Sequence, residues 1–359
     1  MRVLMLPKYD ATGASSRLRS YQYVRTLTAL GFTLDVHPLL DNGYVADLYQ
    51  RRISPAKVVS SYLRRLRKLV SSNKYDVVWL EKELLPWIPD WLEARLAKRV
   101  AALVVDYDDA IFHRYDRHRS GIVRAIYGRK IDAVMRRADL VTAGNDYLLS
   151  RARSAGAKRV EWLPTVVDLE RYPHPVSRDH GGQLVIGWIG SPSTAHYLRE
   201  VDPVIQEISR RYQTRCIAIG ARSDQLAGSC FEPVAWSEAG EAAMLAQIDI
   251  GIMPLRNEPW ELGKCGYKLI QYMAAGRAVV ASPVGANRSI VEPGISGYLA
   301  ATNEEWLSAL DSLIKDPSKR VAMGMEGRRR VEELYSLQVQ SQRLASLLLS
   351  VGALEKHAR

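Results

Sequence analysis

Two lysines at the predicted start of a helix are the residues whose placement most directly suggests chemistry. The apolar residues between Leu269 and Ala274 recur at helical spacing, so a helix is predicted to begin near Tyr267. Lys264 and Lys268 lie just before this helix and inside its first turn. A helix start carries unpaired N–H groups and a partial positive charge, so a cation is unfavourable there unless an anion is bound beside it. The pattern therefore predicts a bound phosphate or diphosphate, and the alternative is that both lysines point into solvent.

A second loop offers neutral hydrogen-bond donors for the same anion. The segment GWIGSPSTAHYL follows a predicted strand and contains Gly190, which allows a ligand to approach the backbone closely. Ser191 and Thr194 in this loop can donate hydrogen bonds. We expect the backbone amides of Gly190 and Ser191 to bind a developing negative charge together with the two lysines.

Three aspartates and a histidine follow a predicted strand in the first half of the chain. In VVDYDDAIFH, Asp106, Asp108 and Asp109 form an acidic cluster that precedes His113. One interpretation is a divalent cation held by the carboxylates. A second is that Asp108, Asp109 and His113 orient hydroxyl groups of a substrate. The third is ordinary helix capping and hydrogen bonding at a strand end.

The loop after the first predicted strand, KYDATGASSRLRSYQY, combines a turn residue with cations. Gly13 permits a tight turn, and Arg17 and Arg19 follow at a predicted helix start. Arginine at such a position again indicates an anionic group of a substrate. Asn145, in the stretch GNDYL after another predicted strand, is expected to point to the same region.

These residues lie on loops between short apolar runs and helix-length segments. The predicted strands are Arg2–Leu6, Thr33–His37, Asp76–Leu80, Ala102–Asp106, Asp139–Ala143, Val160–Leu163, Leu184–Ile189, Arg215–Ile219, Asp249–Met253 and Ala278–Ala281. Most of them are bounded by Gly, Pro or Asp and are followed by a helical pattern, which is typical of repeated βαβ units with parallel sheets. Ligands of such sheets bind outside the carboxyl ends of the strands.

The repeating pattern breaks after Tyr172. The stretch RYPHPVSRDHGGQ combines prolines, glycines and mixed charge, which indicates a linker. The sequence therefore predicts an α/β protein of two doubly wound, Rossmann-like domains, residues 1–172 and 173–335, that face each other across a cleft. Residues 336–359 are predicted to form a C-terminal helix that caps the second domain or returns to the first. The site is expected between the domains.

The composition limits the class of partner. The chain of 359 residues has a formal net charge of +11, which nucleic acid, an anionic membrane surface or a phosphorylated small molecule would explain. The chain has neither an RNA-binding aromatic signature nor zinc-finger spacing, so nucleic acid is not expected. No apolar run is long enough to span a membrane, and the first residues read as a strand rather than a signal peptide. Cys216, Cys230 and Cys265 have no metal-site spacing, which suggests reduced thiols in a cytoplasm.

One predicted helix, residues 56–72, concentrates basic charge. Its apolar residues are predicted to share one face: Val59, Tyr62, Leu63, Leu66, Leu69 and Val70. Its basic residues are predicted to share the other: Lys57, Arg64, Arg65 and Lys68. Such a helix either packs on its domain with a solvated basic face or lies on an anionic bilayer, and both interpretations stay open. Residues 51–70 are therefore a candidate contact with the inner face of a membrane.

Three motifs in the second half of the chain carry a resemblance to a known family. They are KLIQYMAAGRAVVASPVGANRSIVEPGISGYLA, the preceding IDIGIMPL, and LPTVVDLERY before the predicted linker. They resemble, in that family's order, an E-x7-E segment with its G-x-P-V-V-A strand, an aspartate–strand–proline run, and a P-N-G-V-D signature. The family is the retaining nucleotide-sugar glycosyltransferases of the GT-B fold, in the group known as family 4. The motifs cover most of residues 139–300, and the first half matches more loosely.

The resemblance implies roles around the two lysines, with two departures. The second glutamate of the E-x7-E segment falls on Gln271, whose amide can still hydrogen-bond the ribose hydroxyls of a donor. The first falls on Gly263, which cannot replace a carboxylate. Glu258 or Glu261, earlier in the same loop, would then have to reach that place.

The same resemblance implies how a nucleotide diphosphate is bound. The family tends to place an Arg and a Lys after the first strand of the second domain, whereas the loop here has neither, so the charge is expected from Lys264 and Lys268. Tyr267 begins the helix at the donor, and Trp236 occupies the region where the family binds its nucleobase. GT-B enzymes stabilise the leaving diphosphate with protein cations and helix ends, so no metal or further cofactor is expected.

The leading hypothesis is transfer of a sugar from a nucleotide diphosphate donor to a hydroxyl of a glycan or lipid-linked acceptor, with retained anomeric configuration. Asp108, Asp109 and His113 would orient acceptor hydroxyls or the sugar. The resemblance implies a front-face displacement in which the leaving phosphate takes the acceptor proton. Two alternatives remain: a GT-B binding subunit that lost the chemistry of the first glutamate, and a nucleotide-sugar epimerase whose acid–base groups would be the Asp106–Asp109 cluster.

Overall fold

The chain forms two compact units, each built on one parallel sheet. The computed structural model describes residues 1–49, 52, 54–97, 102–173 and 182–358. Unit 1 comprises Met1–Thr165 together with Gln340–Arg359, and unit 2 comprises Val166–Val339.

The sheet of unit 1 has six strands. They are β1 Arg2–Leu6, β2 Thr33–Val36, β3 Val77–Glu81, β4 Ala102–Tyr107, β5 Leu140–Ala143 and β6 Val160–Trp162. Their order is β2-β1-β3-β4-β5-β6, and neighbouring strands pair in parallel. Since β1 and β3 are neighbours although β2 lies between them in the chain, the strand order reverses there. Loops that leave β1 and β3 at their carboxyl ends therefore diverge and open a ligand-sized space.

Helices cover this sheet. They are α1 Ala14–Arg19, α2 Val24–Ala29, α3 Asn42–Tyr49, α4 Pro55–Val70, α5 Asp90–Ala97, α6 His113–Asp116, α7 Gly121–Tyr127, α8 Lys130–Arg137 and α9 Asp146–Ser154. The start of α9 is fixed by Asn145, whose side-chain oxygen accepts from the Leu148 amide at 2.9 Å. Asn145 is 3% exposed, so the expectation that it points toward a ligand is wrong: its oxygen is used as the helix cap.

The sheet of unit 2 also has six strands and follows the Rossmann order. They are β7 Val185–Ile189, β8 Arg215–Ile219, β9 Phe231–Val234, β10 Ile250–Met253, β11 Ala278–Ala281 and β12 Tyr298–Leu299. Their order is β12-β11-β10-β7-β8-β9, so the reversal lies between β7 and β10. The edge strand β12 was not predicted, because it is short and only partly buried.

The helices of unit 2 are α10 Asp202–Tyr212, α11 Glu241–Ala246, α12 Pro259–Leu262, α13 Tyr267–Ala274, α14 Asn287–Ile290, α15 Asn303–Lys315 and α16 Pro317–Leu334. A run of 3-10 helix spans Pro192–Glu200. The last helix, α17 Leu337–Ala358, continues from unit 2 into unit 1. Within the described ranges, no helix has both the length and the apolar character that crossing a bilayer requires.

The central strands of both sheets are buried on both faces. Every residue of β3, β4 and β5 is buried in unit 1, and every residue of β7, β10 and β11 in unit 2. Val, Ile, Leu and Ala dominate these strands, as parallel strands covered by helices require. Polar side chains can therefore reach a ligand only from the loops at the strand ends.

The boundary between the units lies ahead of the predicted linker. Val167 pairs with Ser336, and the Arg328 guanidinium donates to the Tyr172 carbonyl at 2.9 Å, so residues 166–172 are held within unit 2. The predicted boundary lay at residue 172, and most of the predicted linker falls outside the described residues. The far part of α17 belongs to unit 1, where Ser350 accepts from the Arg159 guanidinium at 2.8 Å.

Helix α4 turns a different face toward unit 1 than its apolar pattern predicts. Its buried residues are Ser61, Arg65 and Leu69, whereas Val59 and Leu63 are exposed. The Arg65 guanidinium donates to the carbonyls of Pro7 at 2.8 Å and His37 at 3.2 Å, both just beyond strand ends. The expectation that Arg65 lies on a solvated basic face is therefore wrong. Carbonyls at buried strand ends need donors, and a long cationic side chain supplies them.

Two buried ion-pair clusters join the carboxyl edge of the first sheet to its helices. The Arg19 guanidinium binds both carboxylate oxygens of Asp106, at 2.6 and 2.8 Å. The Lys130 ammonium lies 2.6 Å from the Glu83 carboxylate and 3.2 Å from that of Glu93. Burying a charge costs several kcal/mol per ion, so each cluster is stable only while its partners are complete.

Replacing Arg19 with Met is expected to lower the free energy of unfolding by roughly 3–5 kcal/mol, because it leaves the Asp106 carboxylate buried without its cation. Urea unfolding followed by tryptophan fluorescence measures the change. The matched control is Arg222→Met, which removes a solvent-exposed pair with Asp224 and is expected to change the stability far less. Equal effects of the two substitutions would contradict a structural role for the buried pair.

Candidate functional site

In unit 2, the predicted anion-binding residues meet at the reversal of strand order between β7 and β10. Gly190 and Ser191 follow β7, and the chain after β10 runs through α12 to Lys264 and Lys268 at the start of α13. A Cβ atom built on Gly190 would lie 2.8 Å from Cε of Lys268, so these two loops are in contact. This is the position at which doubly wound sheets bind their ligands.

Gly190 is required there because of the side chains packed against it. The same added Cβ would lie 2.4 Å from the ring of Trp188, and the Lys268 ammonium is 4.5 Å from the centroid of that ring. A cation over an indole face is attracted by the ring quadrupole. Any side chain at position 190 would push the ammonium away from Trp188, so the absence of a side chain fixes where the charge lies.

Among the described residues, none supplies a counter-charge in contact with the Lys268 ammonium. Burial, and secondarily the nearby Lys264 ammonium, lowers the pKa of Lys268 to about 7. Its contacts within the described chain are the Trp188 ring and, at 3.4 Å, the hydroxyl of Thr194. Neither contact carries a negative charge, so an anion bound here would stabilise the charged form of Lys268 strongly.

The 3-10 helix Pro192–Glu200, which contacts the Lys268 ammonium, also contacts a carboxylate. In a 3-10 helix, side chains at i and i+3 lie above one another, so Thr194 and Tyr197 share a face of the Pro192–Glu200 segment. Thr194 contacts Lys268, and the Tyr197 hydroxyl donates to Glu261. Glu261 is 7% exposed, and its Oε2 has no hydrogen-bond partner among the described residues. Glu258, the other candidate for the missing carboxylate, is exposed.

The predicted nucleoside-binding residues form a polar network that the sequence did not indicate. Glu241 is buried, and its carboxylate accepts from the Tyr172 hydroxyl at 3.1 Å and from the indole N–H of Trp236 at 2.9 Å. Gln271 lies beside the Tyr172 hydroxyl, and its amide nitrogen makes no well-formed hydrogen bond within the described chain. The ring of Trp236 stays 39% exposed. Tyr267, at the start of α13, lies near Tyr172 as well.

Gly220 connects this network to the lysine. It has a φ of +84°, and a Cβ atom there would lie 2.1 Å from the Gly190 carbonyl oxygen and 3.5 Å from Cβ of Trp236. The position therefore requires glycine for two reasons, backbone conformation and space. Gly190, Lys268 and Trp236, which are far apart in the sequence, are thus brought to one edge of unit 2.

One predicted donor is already used by the sheet. The Gly190 amide donates to the Ile219 carbonyl at 3.0 Å, so the expectation that both the Gly190 and Ser191 amides bind a ligand is wrong for Gly190. The Ser191 hydroxyl lies 2.8 Å from that of Ser193 on an exposed loop. The contribution of Gly190 is therefore space, and the Ser191 amide and the hydroxyl groups of this loop stay candidate donors.

Unit 1 has a second polar cluster at its own reversal of strand order. Ser15 follows β1, Lys82 follows β3 and Asp108 follows β4. The Ser15 hydroxyl donates to Asp108 at 2.6 Å, and the Lys82 ammonium lies 2.8 Å from both Ser15 and the Asp108 carboxylate. Burial favours a raised pKa for Asp108, but the Lys82 ammonium outweighs it, so the pKa of Asp108 lies below its usual range. Glu81 accepts from Ser15 and Ser16 and completes the cluster.

The acidic cluster predicted from VVDYDDAIFH is split by the fold. Asp106 points into the protein and pairs with Arg19, so neither residue is available to a ligand as expected. Asp108 and Asp109 are partly exposed and lie near Lys82. The end of β4 at Tyr107 explains the division, because Asp106 lies within the buried strand whereas Asp108 and Asp109 lie in the loop that follows it.

The His113 imidazole connects two helices of unit 1. The two ring nitrogens of His113 lie 2.8 Å from the Asp116 carboxylate and 2.7 Å from the Tyr147 hydroxyl. The imidazole therefore joins α6 to α9, and these contacts do not involve Asp108. The expected role of His113 in orienting a substrate is therefore not supported by its contacts.

Gly13 lies where a Cβ would be 2.4 Å from Cβ of Tyr9, and Arg17 follows it within α1.

Lys82, Trp188, Tyr197 and Glu241 were not among the residues predicted for the site. Lys82 left a recognisable signal, since the charged run Glu81–Glu83 directly follows an apolar strand at the carboxyl edge of the sheet. Lys82 also has a φ of +67°, a left-handed conformation that is rare for a residue with a side chain. Trp188 meets Lys268, Tyr197 meets Glu261 and Glu241 meets Tyr172 only through the fold, so spacing alone does not reveal these contacts.

Comparison with known proteins assigns the fold. Residues 184–316, within unit 2, match the family described as Glycosyl transferases group 1. The chain aligns over 98% of its length with a sucrose-phosphate synthase from Thermosynechococcus elongatus, covering 99% of that chain with a TM-score of 0.72 and 15% identity. It aligns equally far with HepE from Anabaena in complex with UDP, covering all of that chain with a TM-score of 0.70 and 16% identity. The chain has the GT-B fold.

A curated relative matches a part of this GT-B protein. It is the GDP-mannose-dependent monoacylated alpha-(1-6)-phosphatidylinositol monomannoside mannosyltransferase of Corynebacterium glutamicum, 32% identical over 109 residues. The matched stretch covers 30% of the present chain and 29% of that relative. The family match and the GT-B fold together support a glycosyltransferase.

The Lys264→Met substitution is expected to raise the pKa of Lys268, because it removes the second cause of its depression and leaves only burial. The pKa is measured by NMR of the lysine side chains, and Lys319→Met is the matched control on α16. Since the folded pKa of about 7 lies below the ordinary value of 10.5, the unfolded chain binds more protons between these values. The contribution of Lys268 to stability should therefore increase as the pH rises from about 7. A Lys268 pKa that is unchanged by Lys264→Met would contradict the coupling.

Proposed function

We propose that the protein transfers a sugar from a nucleotide diphosphate donor to a hydroxyl group of a glycan or lipid-linked acceptor, with retained anomeric configuration. The observation that carries the proposal is the Lys268 ammonium, held over Trp188 with a pKa of about 7 and with neutral contacts. A diphosphate would supply the missing negative charge. The relatives point to the same donor class, since one is named for GDP-mannose and HepE was solved with UDP and with UDP-glucose.

In this proposal, unit 2 binds the donor. The diphosphate lies against Lys268 and Lys264, where the start of α13 adds the partial charge of its free amides. The base stacks on the exposed ring of Trp236, and the ribose hydroxyls meet Gln271. Because Glu261 has a buried carboxylate oxygen without a hydrogen-bond partner in the described chain, we assign it to the hydroxyls of the donor sugar.

Unit 1 contributes the acceptor side in the same proposal. Asp108 is half-buried, and the adjacent Lys82 keeps it ionised, so it can accept a hydrogen bond from an acceptor hydroxyl. Asp109 lies next to it. Lys82 acts through Asp108 and is a positioning residue.

The transfer step needs no strong side-chain base. The bond between the anomeric carbon and the phosphate oxygen breaks, the acceptor oxygen bonds to the same face of that carbon, and the acceptor proton passes to the departing phosphate oxygen. Lys268 and Lys264 stabilise the charge that develops on this phosphate. The step leaves the product with the configuration of the donor, and neither a metal nor a redox cofactor enters it.

One observation bears on each alternative function. The binding-subunit hypothesis rested on the missing carboxylate at Gly263, and Glu261 lies nearby with an oxygen that has no hydrogen-bond partner in the described chain. The epimerase hypothesis required acid–base groups from the Asp106–Asp109 cluster, in which Asp106 is paired with Arg19 and Asp108 and Asp109 stay partly exposed. We place the reaction in the cytoplasm, because Cys216, Cys230 and Cys265 are free thiols.

Replacing Lys268 with Ala is expected to lower the turnover of UDP- or GDP-sugars on the order of 10²–10³-fold, because it removes a cation that acts on the leaving group. Release of nucleotide diphosphate is the measurement, with Lys319→Ala as the control and product NMR to report the anomeric configuration. The fold should be retained, since the substitution relieves a buried charge. A Lys268→Ala enzyme with the wild-type rate would refute the assignment.

Replacing Lys82 with Met is expected to raise the pKa of Asp108 and to move the acid limb of the pH profile for transfer to higher pH, because Lys82 is the main group that lowers this pKa against burial. Donor hydrolysis without acceptor, which depends on unit 2, should change little. Lys82→Arg keeps the cation and should restore the profile, and the exposed Lys74→Met is the control in unit 1. If Lys82→Met and wild type share one pH profile, Asp108 does not act in transfer.

A further inference from the structure

Two cysteines of unit 2 lie on neighbouring strands. Cys216 is the second residue of β8, and Cys230 directly precedes β9. In the parallel pairing of these strands, Cys216 is the register partner of Phe231, the residue next to Cys230. Neighbouring strands lie about 4.8 Å apart and one residue advances a strand by about 3.3 Å, so the two Cα atoms are separated by roughly 6 Å. A disulfide spans Cα separations of about 4.4–6.8 Å, so the strand pairing suits one.

The side chains of both cysteines pack into the same apolar layer. Cys216 is buried in the core cluster of unit 2, which includes Phe231 of β9 and Ile205 and Ile208 of α10. Cys230 is partly buried and packs against this cluster. Both side chains therefore contribute to the layer that α10 shares with the sheet, and neither has to change sides of the sheet to meet the other.

The two thiol groups interact with each other. Contact with Cys230, followed by burial, raises the pKa of the Cys216 thiol well above its ordinary value. The same contact lowers the pKa of the Cys230 thiol, although burial opposes this shift. Cys230 is also the more accessible of the two, since it is half-buried whereas Cys216 is buried. The thiolate is the reactive form of cysteine, so Cys230 is the nucleophile of the pair and Cys216 its neighbour in reserve.

The turn before Cys230 leaves room for a small reagent. Ala227 and Gly228 are exposed, and a Cβ atom built on Gly228 would meet no other atom within 4 Å. Gly228 has a φ of +77°, which glycine adopts without strain. The Ser229 hydroxyl donates to Asp202 at the start of α10, at 2.7 Å, and so holds the end of this turn against the helix. The nucleophilic thiol therefore lies at the edge of the sheet that faces solvent.

We propose that Cys216 and Cys230 form a modification site, a dithiol that a peroxide oxidises to a disulfide within the chain and that a thiol reductant restores. The structure shows the reduced form. In a reducing compartment such a bond is transient and reports oxidation. The proposal is independent of the proposed sugar transfer.

The oxidation proceeds in two balanced steps. The Cys230 thiolate attacks one oxygen of hydrogen peroxide, the O–O bond breaks, and Cys230 becomes a sulfenic acid while hydroxide leaves and takes up the thiol proton as water. The Cys216 sulfur then attacks the Cys230 sulfur, the S–O bond breaks, and the Cys216 proton leaves with the hydroxide as a second water. The two thiols lose two electrons in total, and hydrogen peroxide accepts them.

The disulfide would link the two outer strands of the sheet beside the candidate donor site. It closes the segment 216–230, which contains Gly220. The Gly220 amide donates to the Val234 carbonyl of β9 at 2.8 Å, and Trp236 follows shortly after. A cross-link between β8 and β9 restricts the unfolded chain, so we expect it to stabilise this edge of unit 2.

The test is mass spectrometry of the whole reduced protein after treatment with hydrogen peroxide. Alkylation with iodoacetamide in denaturant should then label one of the three cysteines, and prior reduction with dithiothreitol should restore all three. Trypsin cleaves after Arg215 and Arg222, so peptides 216–222 and 223–256 should be recovered as a disulfide-linked pair. Three labelled cysteines, or an oxidised Cys230 beside a labelled Cys216, would overturn the proposal.

Single variants separate the nucleophile from its partner. Cys230→Ala should abolish the reaction with peroxide, whereas Cys216→Ala should stop it at a Cys230 sulfenic acid that dimedone labels. The matched control is Cys265→Ala, a third buried thiol of unit 2, which should form the disulfide as the wild type does. Loss of the disulfide in the control, or its persistence in either other variant, would contradict the assignment. Circular dichroism of the reduced variants confirms that each is folded.

Thermal unfolding tests whether the native fold accommodates the bond. The oxidised wild type should unfold at a temperature several degrees higher than the reduced protein, and peroxide should cause no such rise in Cys216→Ala. An equal or lower unfolding temperature would show that the native positions of the two cysteines do not suit a disulfide. Electrophoresis without reductant tests the competing product, and a dimer linked through Cys230 in place of the internal bond would overturn the proposal.

Discussion

The site of unit 2 depends on one interaction, the Lys268 ammonium held over the indole of Trp188. Desolvation makes this charge costly, and the aromatic face offsets only part of the cost. Gly190 has no side chain because one would occupy the space of both partners. Gly220 in turn must be glycine because its neighbour is the Gly190 carbonyl. The loops after β7, β8 and β10 are thus arranged around a charge whose described contacts are neutral.

Three buried cations of unit 1 are paired with carboxylates inside the chain: Arg19 with Asp106, Lys130 with Glu83 and Glu93, and Lys82 with Asp108. At the reversal of strand order, Lys82 of unit 1 thus has a carboxylate partner, whereas the contacts of Lys268 in unit 2 are neutral within the described chain. A buried, compensated charge favours a fixed local geometry, whereas an uncompensated one favours a ligand. This difference is the physical reason for assigning the anionic donor to unit 2.

Helix α4 shows how tertiary packing can override an apolar pattern. An amphipathic reading places all its apolar residues against the protein, yet carbonyls of Pro7 and His37 near the ends of β1 and β2 require donors in a place that water does not reach easily. Arg65 satisfies them, and the helix turns so that Val59, Leu63 and Val70 face outward. The burial of Arg65 therefore accompanies the exposure of Val59, Leu63 and Val70 on α4.

The sequence alone determined the architecture and the neighbourhood of the candidate site in unit 2. Apolar runs such as AVVA and IGIM, each followed by a helical segment, indicate buried parallel strands, and a helix was predicted to begin near Tyr267, where α13 starts. Local patterns suffice for this because burial on both faces and helix capping are set within a few residues. Only the tertiary structure decided which polar groups meet. Asp106 and Asp108 are two residues apart but belong to separate clusters, and Glu261 rather than Glu258 is buried beside Tyr197. Those outcomes depend on contacts across distant segments, which determine the desolvation and pairing of each charge and which spacing along the chain does not record.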